Sequence, residues 1–415
     1  MKITAIKGMS DILPPESSVW RGVEEKARQI FDSFGFEEIR TPIVEPTELF
    51  VRSVGETSAI VEKEMYTFED KKGVSLTLRP EGTAPVVRAY IENGLQAKYP
   101  VAKLCYFGPM FRYEQPQKGR SRQFFQIGAE LLGAESPMAD AEMLILLKNI
   151  FSGLGIEDVR FEINSLGCAA CRPKYLEAIH GFMKGKEKKF CDDCQKRAKK
   201  NPLRILDCKK EPCRELTEAV STISDFWCEA CRKHYREVRG LLLAGHVPFK
   251  ENTRIVRGLD YYCRTAFEVL CDRLGAQNAV AAGGRYDGLV KDLGGPDIPG
   301  VGFAIGMERL TLLAPLIHDS RPTIHEPMFF ALLGSEAEQA ALSVIQELRE
   351  KSLRVESAYG GSLKSQLRRA DKLKAKWVVI LGENEVKKGV AIVKNMHDGK
   401  QNEILMGRLV GELSK

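Results

Sequence analysis

Apolar residues at helical spacing open the chain. Val19, Trp20, Val23, Ala27, Ile30, Phe31 and Phe34 share one face, and Gly35 stands where such a helix would stop. FEEIRTPIVEP alternates only in part and is interrupted by Pro42, which predicts an edge or interface strand because proline cannot donate to a ladder. VSLTLRPEGTAPVVRAY predicts a strand over 74–78, a break at Pro80 and a helix entered near Thr83. Residues 104–132 predict a hairpin. Side chains two apart in a strand share a face, so Arg112 and Glu114 point one way in its first half, and Gln126, Gly128 and Glu130 line one face of the return strand. A glycine between two polar side chains leaves a notch for a small ligand against the backbone. The loop 115–122 holds Pro116, Lys118, Gly119, Arg120 and Arg122, a cationic tip able to close on phosphates. Taken alone this hairpin is more simply an ordinary solvated one. AESPMADAEMLILLKNIFSGLG then predicts an amphipathic helix ending at Gly153 or Gly155, and FEINSL a short strand.

From 168 to 243 the pattern changes. Cysteines and lysine runs replace the alternation, which returns with TRIVRGLDYYCRTAFEVLC, AVAAGGRYDGLV and PGVGFAIGMERLTLL. The middle segment therefore reads as an insertion within one larger domain. Near Pro322 a separate unit begins: a strand in MFFALLG, Ser335 as N-cap of a helix running to Lys351, a strand in LRVESA, a helix in SLKSQLRRADKLKA, then strands in WVVILG and GVAIVK. Alternating strand and helix predict a small α/β domain of roughly 90 residues. The expected division is 1–167 and 244–321 for one α+β domain with a mostly antiparallel sheet flanked by helices, 168–243 for the Cys-rich insertion, and 322–415 for the α/β unit.

Composition narrows this picture modestly. A chain of 415 residues exceeds one ordinary core, and 44% hydrophobic with 28% charged residues excludes a largely disordered protein. No apolar run reaches membrane-spanning length, and the start MKITAIKGMSDILPPES lacks a secretory apolar core, so a cytoplasmic protein with reduced thiols is expected. Lys and Arg number 62 against 56 Asp and Glu, a net +6 that suits a polyanionic partner without requiring one.

The candidate chemistry lies in polar clusters at predicted strand ends: Arg79, Glu81 and Thr83; Arg112 and Glu114 with Gln126 and Glu130; Arg257, Asp260, Tyr261 and Tyr262; Glu308 and Arg309; and a further arginine in GGRYDG. Arginine forks match phosphate, carboxylates accept an ammonium group, and together they suit a triphosphate beside a zwitterion. Gly302 and Gly306 would let a flat base approach the backbone. No GxxxxGK[ST] is present, so a P-loop does not supply the nucleotide site.

These segments, in this order, resemble the histidyl-tRNA synthetase family of class II aminoacyl-tRNA synthetases over essentially the whole chain. GFEEIRTPIVEP is similar to motif 1, FRYEQPQKGRSRQF to motif 2 and GFAIGMERL to motif 3, while VRGLDYY and GGRYDGL resemble the two histidine-specific boxes. The resemblance implies a class II catalytic domain, a C-terminal anticodon-binding domain, a homodimer, and ATP with Mg²⁺, L-histidine and tRNA(His) as substrates. It implies that Glu81, Thr83 and Gln126 hold the α-ammonium group. Glu130, Tyr261 and Tyr262 would read the imidazole nitrogens, which donate or accept and so suit a carboxylate and phenols. Arg112 would contact the α-phosphate and the substrate carboxylate, Arg257 the other side of that phosphate, with Glu114 and Arg309 on the ATP side. The motif 2 loop departs from the family pattern: Gln115, Ser121 and Phe125 stand where arginine, tyrosine and histidine are common. That leaves activation intact and bears on how the acceptor end of tRNA is gripped, for which Lys118 and Arg120 are candidates. A regulatory paralogue that binds a phosphoribosyltransferase would erode these boxes and generally lack the C-terminal domain. A zinc-dependent RNA-binding protein would leave the arginines unexplained.

Two features stand apart from the resemblance. Lys364, Arg368, Arg369, Lys372, Lys374 and Lys376 crowd into and after one predicted helix. Such a run is most often a solvated face; beside an anticodon-binding reading it is a candidate phosphate track. Eight of the 11 cysteines, Cys168, Cys171, Cys191, Cys194, Cys208, Cys213, Cys228 and Cys231, have thiolate-ligand spacings. They would close two structural Cys₄ zinc sites or one with spare cysteines, or some are simply small buried residues. Metal is not general in this family, so the resemblance does not choose among these.

Overall fold

The computed structural model describes residues 2–55, 58–117, 119–206, 208, 210–256, 259, 261–314 and 327–414. Its contacts divide the chain into two units, Met1–Asp319 and Ser320–Lys415. The strands of the first unit are β1 (Glu37–Glu38), β2 (Val44–Pro46), β3 (Tyr66–Glu69), β4 (Ser75–Leu78), β5 (Ala102–Phe111), β6 (Gln123–Leu132), β7 (Arg160–Ser165), β8 (Phe249–Glu251), β9 (Cys263–Leu270), β10 (Ala279–Arg285) and β11 (Gly300–Gly306). Eight form one sheet in the order β1-β5-β6-β11-β10-β9-β7-β8, and β2-β4-β3 form a small second sheet. The six central strands pair antiparallel, and only the edge pairs β1–β5 and β7–β8 are parallel.

Period-two alternation gives the large sheet two different faces. Cys105, Ile127, Ala129, Leu131, Val301, Phe303, Ile305, Phe267 and Val269 point to one core with the apolar stripe of helix Glu16–Ser33. Helix Pro137–Gly153 joins the same core. It is apolar nearly all round rather than amphipathic, because it packs against helix Glu16–Ser33 and helix Glu229–Ala244 as well as the sheet. The alternate residues, Tyr106, Gln126, Gly128, Glu130, Gly302 and Ala304 among them, face the other way. Motif 1 yields two short strands, β1 and β2, rather than one: Pro42 lies between them, and each is an edge strand of a different sheet.

Residues between β7 and β8 form helices Arg172–Met183, Asp192–Lys200, Glu211–Thr217 and Glu229–Ala244. Their flanking strands are neighbours in the large sheet, with Phe161 opposite Phe249, so this segment leaves the sheet and returns to it.

The second unit has β12 (Met328–Leu332), β13 (Val355–Ser357), β14 (Trp377–Leu381), β15 (Val390–Asn395) and β16 (Gln401–Leu405) in the order β13-β12-β14-β15-β16. Helix Ser335–Glu350 packs on one face through Ala337, Ala341, Val344, Ile345 and Leu348. Helix Leu363–Lys372 packs on the other, where Ala370 meets Phe329, Ala331 and Val378. Ser335 is the first helical residue rather than the cap: Gly334, at φ 95°, turns the chain into the helix without a side-chain bond. Strand β16 has no counterpart in the sequence expectations, since its exposed polar residues show no alternation.

Candidate active site

One row of residues runs across the sheet through registered pairs: Glu268 opposite Ala282, Ala282 opposite Ala304, Ala304 opposite Gly128, and Gly128 opposite Tyr106. Its centre is small and its ends are polar, which sinks a cavity of about 290 Å³ into this face. Glu81, Thr83, Arg112, Glu114, Arg120, Gln126, Tyr261, Tyr262 and Arg309 all line it. Four separate stretches of sequence thus meet over one floor. Glu81 carries the chain into helix Thr83–Glu92, its two carboxylate oxygens accepting from the N–H groups of Thr83 and Ala84 at 2.8 Å each. Burial raises its pKa despite those bonds.

Glu130 lies one layer behind the cavity wall and is fully buried. Its Oε1 accepts from Thr83 Oγ1 at 2.7 Å and from the Tyr106 hydroxyl at 3.4 Å, and its Oε2 accepts a short bond from the Tyr286 hydroxyl. Burial pushes this carboxyl up to about 8, the hydroxyl donors opposing it. Gln126 Oε1 and the Tyr261 hydroxyl are buried and have no hydrogen-bond partner among the described residues.

The other end of the cavity is cationic. Arg112 is fixed by its Nε donating to Pro80 O at 2.9 Å and by stacking 5.3 Å over Phe124. Arg120 pairs with Glu114 at 3.0 Å. Arg309 donates from Nε and Nη2 to Gly119 O at 3.2 and 3.0 Å, and from Nη1 to Ala279 O. The tip of the motif 2 loop is therefore folded onto the arginine. Glu308 accepts from the Phe125 N–H at 2.9 Å, and burial lifts its pKa to about 7.

Several residues are placed otherwise than the sequence suggests. The notch at Gly128 is filled by the protein itself: a Cβ there would stand 2.1 Å from Tyr106 Cζ, so the glycine seats the phenol ring. Likewise a Cβ on Gly302 would meet Glu130 Oε2 at 1.7 Å, so that glycine makes room for the carboxyl rather than for a base. Gly306 does line the cavity. Arg79 is buried beneath the site, donating to Pro109 O and Thr41 O. Arg285 of GGRYDG is fully buried and paired with Asp140. Arg257, Asp260 and Lys118 lie outside the described residues. Tyr106 and Tyr286 were missed by sequence reasoning. Tyr106 could have been found from the hairpin register, as the aromatic opposite a glycine. Tyr286 could have been found as the one hydroxyl in a glycine-rich box.

The eight cysteines gather into two groups of four that could hold a metal, Cys168, Cys171, Cys228 and Cys231, and Cys191, Cys194, Cys208 and Cys213. None lines the cavity. In the second unit Lys364, Arg368, Arg369 and Lys372 are exposed on helix Leu363–Lys372, Arg369 lying 5.3 Å over the exposed Tyr359 ring. Among the described residues no helix is long and apolar enough to cross a membrane.

Comparison with known proteins agrees with this geometry. Residues 8–310 match the family model described as Histidyl-tRNA synthetase, and residues 328–415 match Anticodon binding domain. The histidine–tRNA ligase of Syntrophotalea carbinolica is 51% identical over 409 residues, 98% of this chain and 97% of that protein. That of Thermodesulfovibrio yellowstonii is 49% identical over 414 residues, 99% and 98% of the two chains. The crystal structure of apo S. aureus histidyl-tRNA synthetase aligns over 100% of both chains with a TM-score of 0.83 and 36% identity. A Bacillus halodurans structure described as an ATP phosphoribosyltransferase regulatory subunit/histidyl-tRNA synthetase shares the fold at a TM-score of 0.69 and 19% identity, covering 92% of this chain and 99% of that one. Matched over residues 8–310 by that family model and over 98% of its length by a histidine–tRNA ligase 51% identical to it, the chain belongs to the histidyl-tRNA synthetase family.

Proposed function

We propose that this chain is a cytoplasmic histidine–tRNA ligase that activates L-histidine with ATP and transfers it to the 3′ end of tRNA(His), releasing pyrophosphate and AMP. The observation that supports it most is the pair of unpartnered buried groups in the cavity, Gln126 Oε1 and the Tyr261 hydroxyl, since buried polar atoms are rarely left without a partner. A bound amino acid would satisfy them. Glu81, Thr83 and Gln126 would hold its α-ammonium group. Tyr261 and Tyr262 would meet the ring nitrogens, with Glu130 behind them accepting from the Thr83 and Tyr106 hydroxyls and so fixing their orientation.

ATP would enter with Mg²⁺ as its substrate complex, over Arg112 and Glu114, with Arg309 at the γ-phosphate end. Arg257 on the far side of the α-phosphate rests on the resemblance. The histidine carboxylate attacks the α-phosphorus in line and pyrophosphate leaves. The nucleophile is already an anion, so positioning and neutralisation of charge are what the arginines contribute. For Arg309 to reach a phosphate, the Gly119 carbonyl must give up its donors.

The acceptor end of tRNA would meet Arg120 and Lys118, and the anticodon stem the exposed cations Arg368, Arg369 and Lys372. We assign the catalytic role to 1–167 and 244–321 and anticodon binding to 322–415. A homodimer is supported by Ile43, Val44, Phe68 and Val74, apolar residues left exposed on or beside the three-stranded sheet. Histidine-dependent ATP–pyrophosphate exchange tests the reading. Exchange is expected with histidine alone; its absence, or equal exchange with other amino acids, would overturn the assignment.

A further inference from the structure

Each group of four cysteines has the dimensions of a tetrahedral thiolate cage. Four sulfurs about 2.3 Å from a central zinc are about 3.8 Å from one another. In the first group Cys168 Sγ lies 3.6 Å from Cys171 Sγ and 3.9 Å from Cys228 Sγ, and Cys171 Sγ lies 3.8 Å from Cys231 Sγ. In the second, Cys191 Sγ and Cys208 Sγ are 3.9 Å apart. All ligand atoms within a group fall within 4.8 Å of one another. These are not disulfides: all eight cysteines are free, and a bonded pair would be about 2.0 Å apart.

The surroundings favour thiolates over packed thiols. The Cys228 N–H donates to Cys171 Sγ at 3.2 Å and the Cys191 N–H to Cys213 Sγ at 3.3 Å. Cys171, Cys191 and Cys228 stand at the starts of helices Arg172–Met183, Asp192–Lys200 and Glu229–Ala244, where the backbone is electropositive. The insertion also needs a staple. Among the described residues its own core is ten, of which Cys194, Cys208 and Cys213 are three, little apolar mass for a segment of this length.

The two groups are nested. The outer one joins the chain just after β7 to the start of helix Glu229–Ala244, 60 residues later. It therefore closes the neck of the insertion, beside Trp227 Nε1, which donates to Ser165 O at 3.2 Å. The inner group lies wholly within that loop and inside the insertion core.

We propose that the chain carries two structural zinc ions, an outer one held by Cys168, Cys171, Cys228 and Cys231 at the neck of the insertion, and an inner one held by Cys191, Cys194, Cys208 and Cys213 in its core. Four thiolates leave no open position, so neither ion takes part in the reaction; closed tetrahedral sulfur sites select zinc or iron, and redox-inert zinc suits a purely structural role.

The test uses the full chain, purified in reducing buffer without chelator. Elemental analysis is expected to give two zinc ions per chain, and an organomercurial that titrates thiols should release both. Cys168→Ser with Cys228→Ser should lower the count to one, as should Cys191→Ser with Cys208→Ser. Cobalt-substituted protein should show the intense ligand-field and thiolate charge-transfer bands of a tetrahedral tetrathiolate, a readout that needs no variant to fold. One ion per chain in the wild type would overturn the two-site arrangement. Folded protein with no stoichiometric metal and every thiol freely reactive would overturn both sites. Stoichiometric iron would overturn the assignment to zinc.

Discussion

Arg285 sits in GGRYDGL, which resembles a histidine-specific box, yet the structure gives it to the fold, and replacing it tests that separation. Its guanidinium is fully buried against Asp140, which is also fully buried. Nε donates to both Asp140 oxygens at 3.1 Å, Nη1 to Ala134 O at 3.1 Å and Asp287 Oδ1 at 3.0 Å, and Nη2 to Ser136 O at 3.3 Å and to Asp140. Burial alone would raise the Asp140 pKa, but His234 and Arg285 hold it below its ordinary value. In Arg285→Met the carboxylate keeps only His234 Nε2, at 3.6 Å, beyond hydrogen-bonding distance. The Ala134 carbonyl also loses this donor, whereas Ser136 O keeps the Ala139 N–H at 3.0 Å. Removing one partner of a buried pair costs about 3–5 kcal/mol. Unfolding entropy of about 2.1 cal/mol/K per residue over roughly 319 residues converts 4 kcal/mol into a Tm loss of about 6 °C. The assay is thermal unfolding with pyrophosphate-exchange kinetics on the folded protein. Arg285→Met should lose those degrees while the histidine and ATP KM values hold. Asp140→Leu combined with Arg285→Met, which removes both charges, should recover most of the loss. An unchanged Tm together with a raised KM for histidine would refute the reasoning and return the arginine to the ligand.

Four further outcomes are expected. Glu130 carries a folded pKa of about 8, above the ~4.3 of an unfolded glutamate. Its contribution to stability is therefore full below pH ~4 and is lost as pH rises towards 8; Tm should fall across that window in the wild type and more shallowly in Glu130→Gln. Gly302→Ala should destabilise and abolish histidine-dependent exchange, since the new methyl strikes Glu130 Oε2. Gly306→Ala, whose Cβ would have no neighbour nearer than 3.9 Å, should fold normally and alter only KM values. Affinity for tRNA should fall steeply with salt, and replacing Arg368, Arg369 and Lys372 together should flatten the log–log slope by about 2–3 if each meets a phosphate. A flat dependence in the wild type would remove this helix from the tRNA surface.

What the sequence made legible follows from period and polarity. The hairpin of β5 and β6 and the face carrying Gln126, Gly128 and Glu130 were readable because alternation assigns faces without tertiary knowledge. Destinations were not. Arg79, Arg285 and Arg112 look alike in sequence; only packing reveals that two of them satisfy carbonyls or a buried aspartate while the third lines a cavity. The glycines misled in the same way. Absence of a side chain is visible in a sequence, but whether ligand or neighbour fills the space depends on the strand opposite, here Tyr106 over Gly128. Helix Pro137–Gly153 read as amphipathic because one sequence cannot show that three partners surround it. The cysteine spacings suggested ligands or buried thiols alike, whereas their gathering into two groups of four required the chain to fold the ends of the insertion together.

The phenol of Tyr106 has a consequence for which amino acids this catalyst could be made to accept. Gly82 and Gly128 both cradle that ring, at hypothetical Cβ distances of 2.2 and 2.1 Å, so its seat is a ready-made, ring-sized recess adjoining the cavity. Cutting the side chain back to alanine would hand the recess to the substrate. Histidine analogues extended at the ring would then find room that histidine itself cannot fill, and the same two glycines that now seat the phenol would become the walls of a wider pocket.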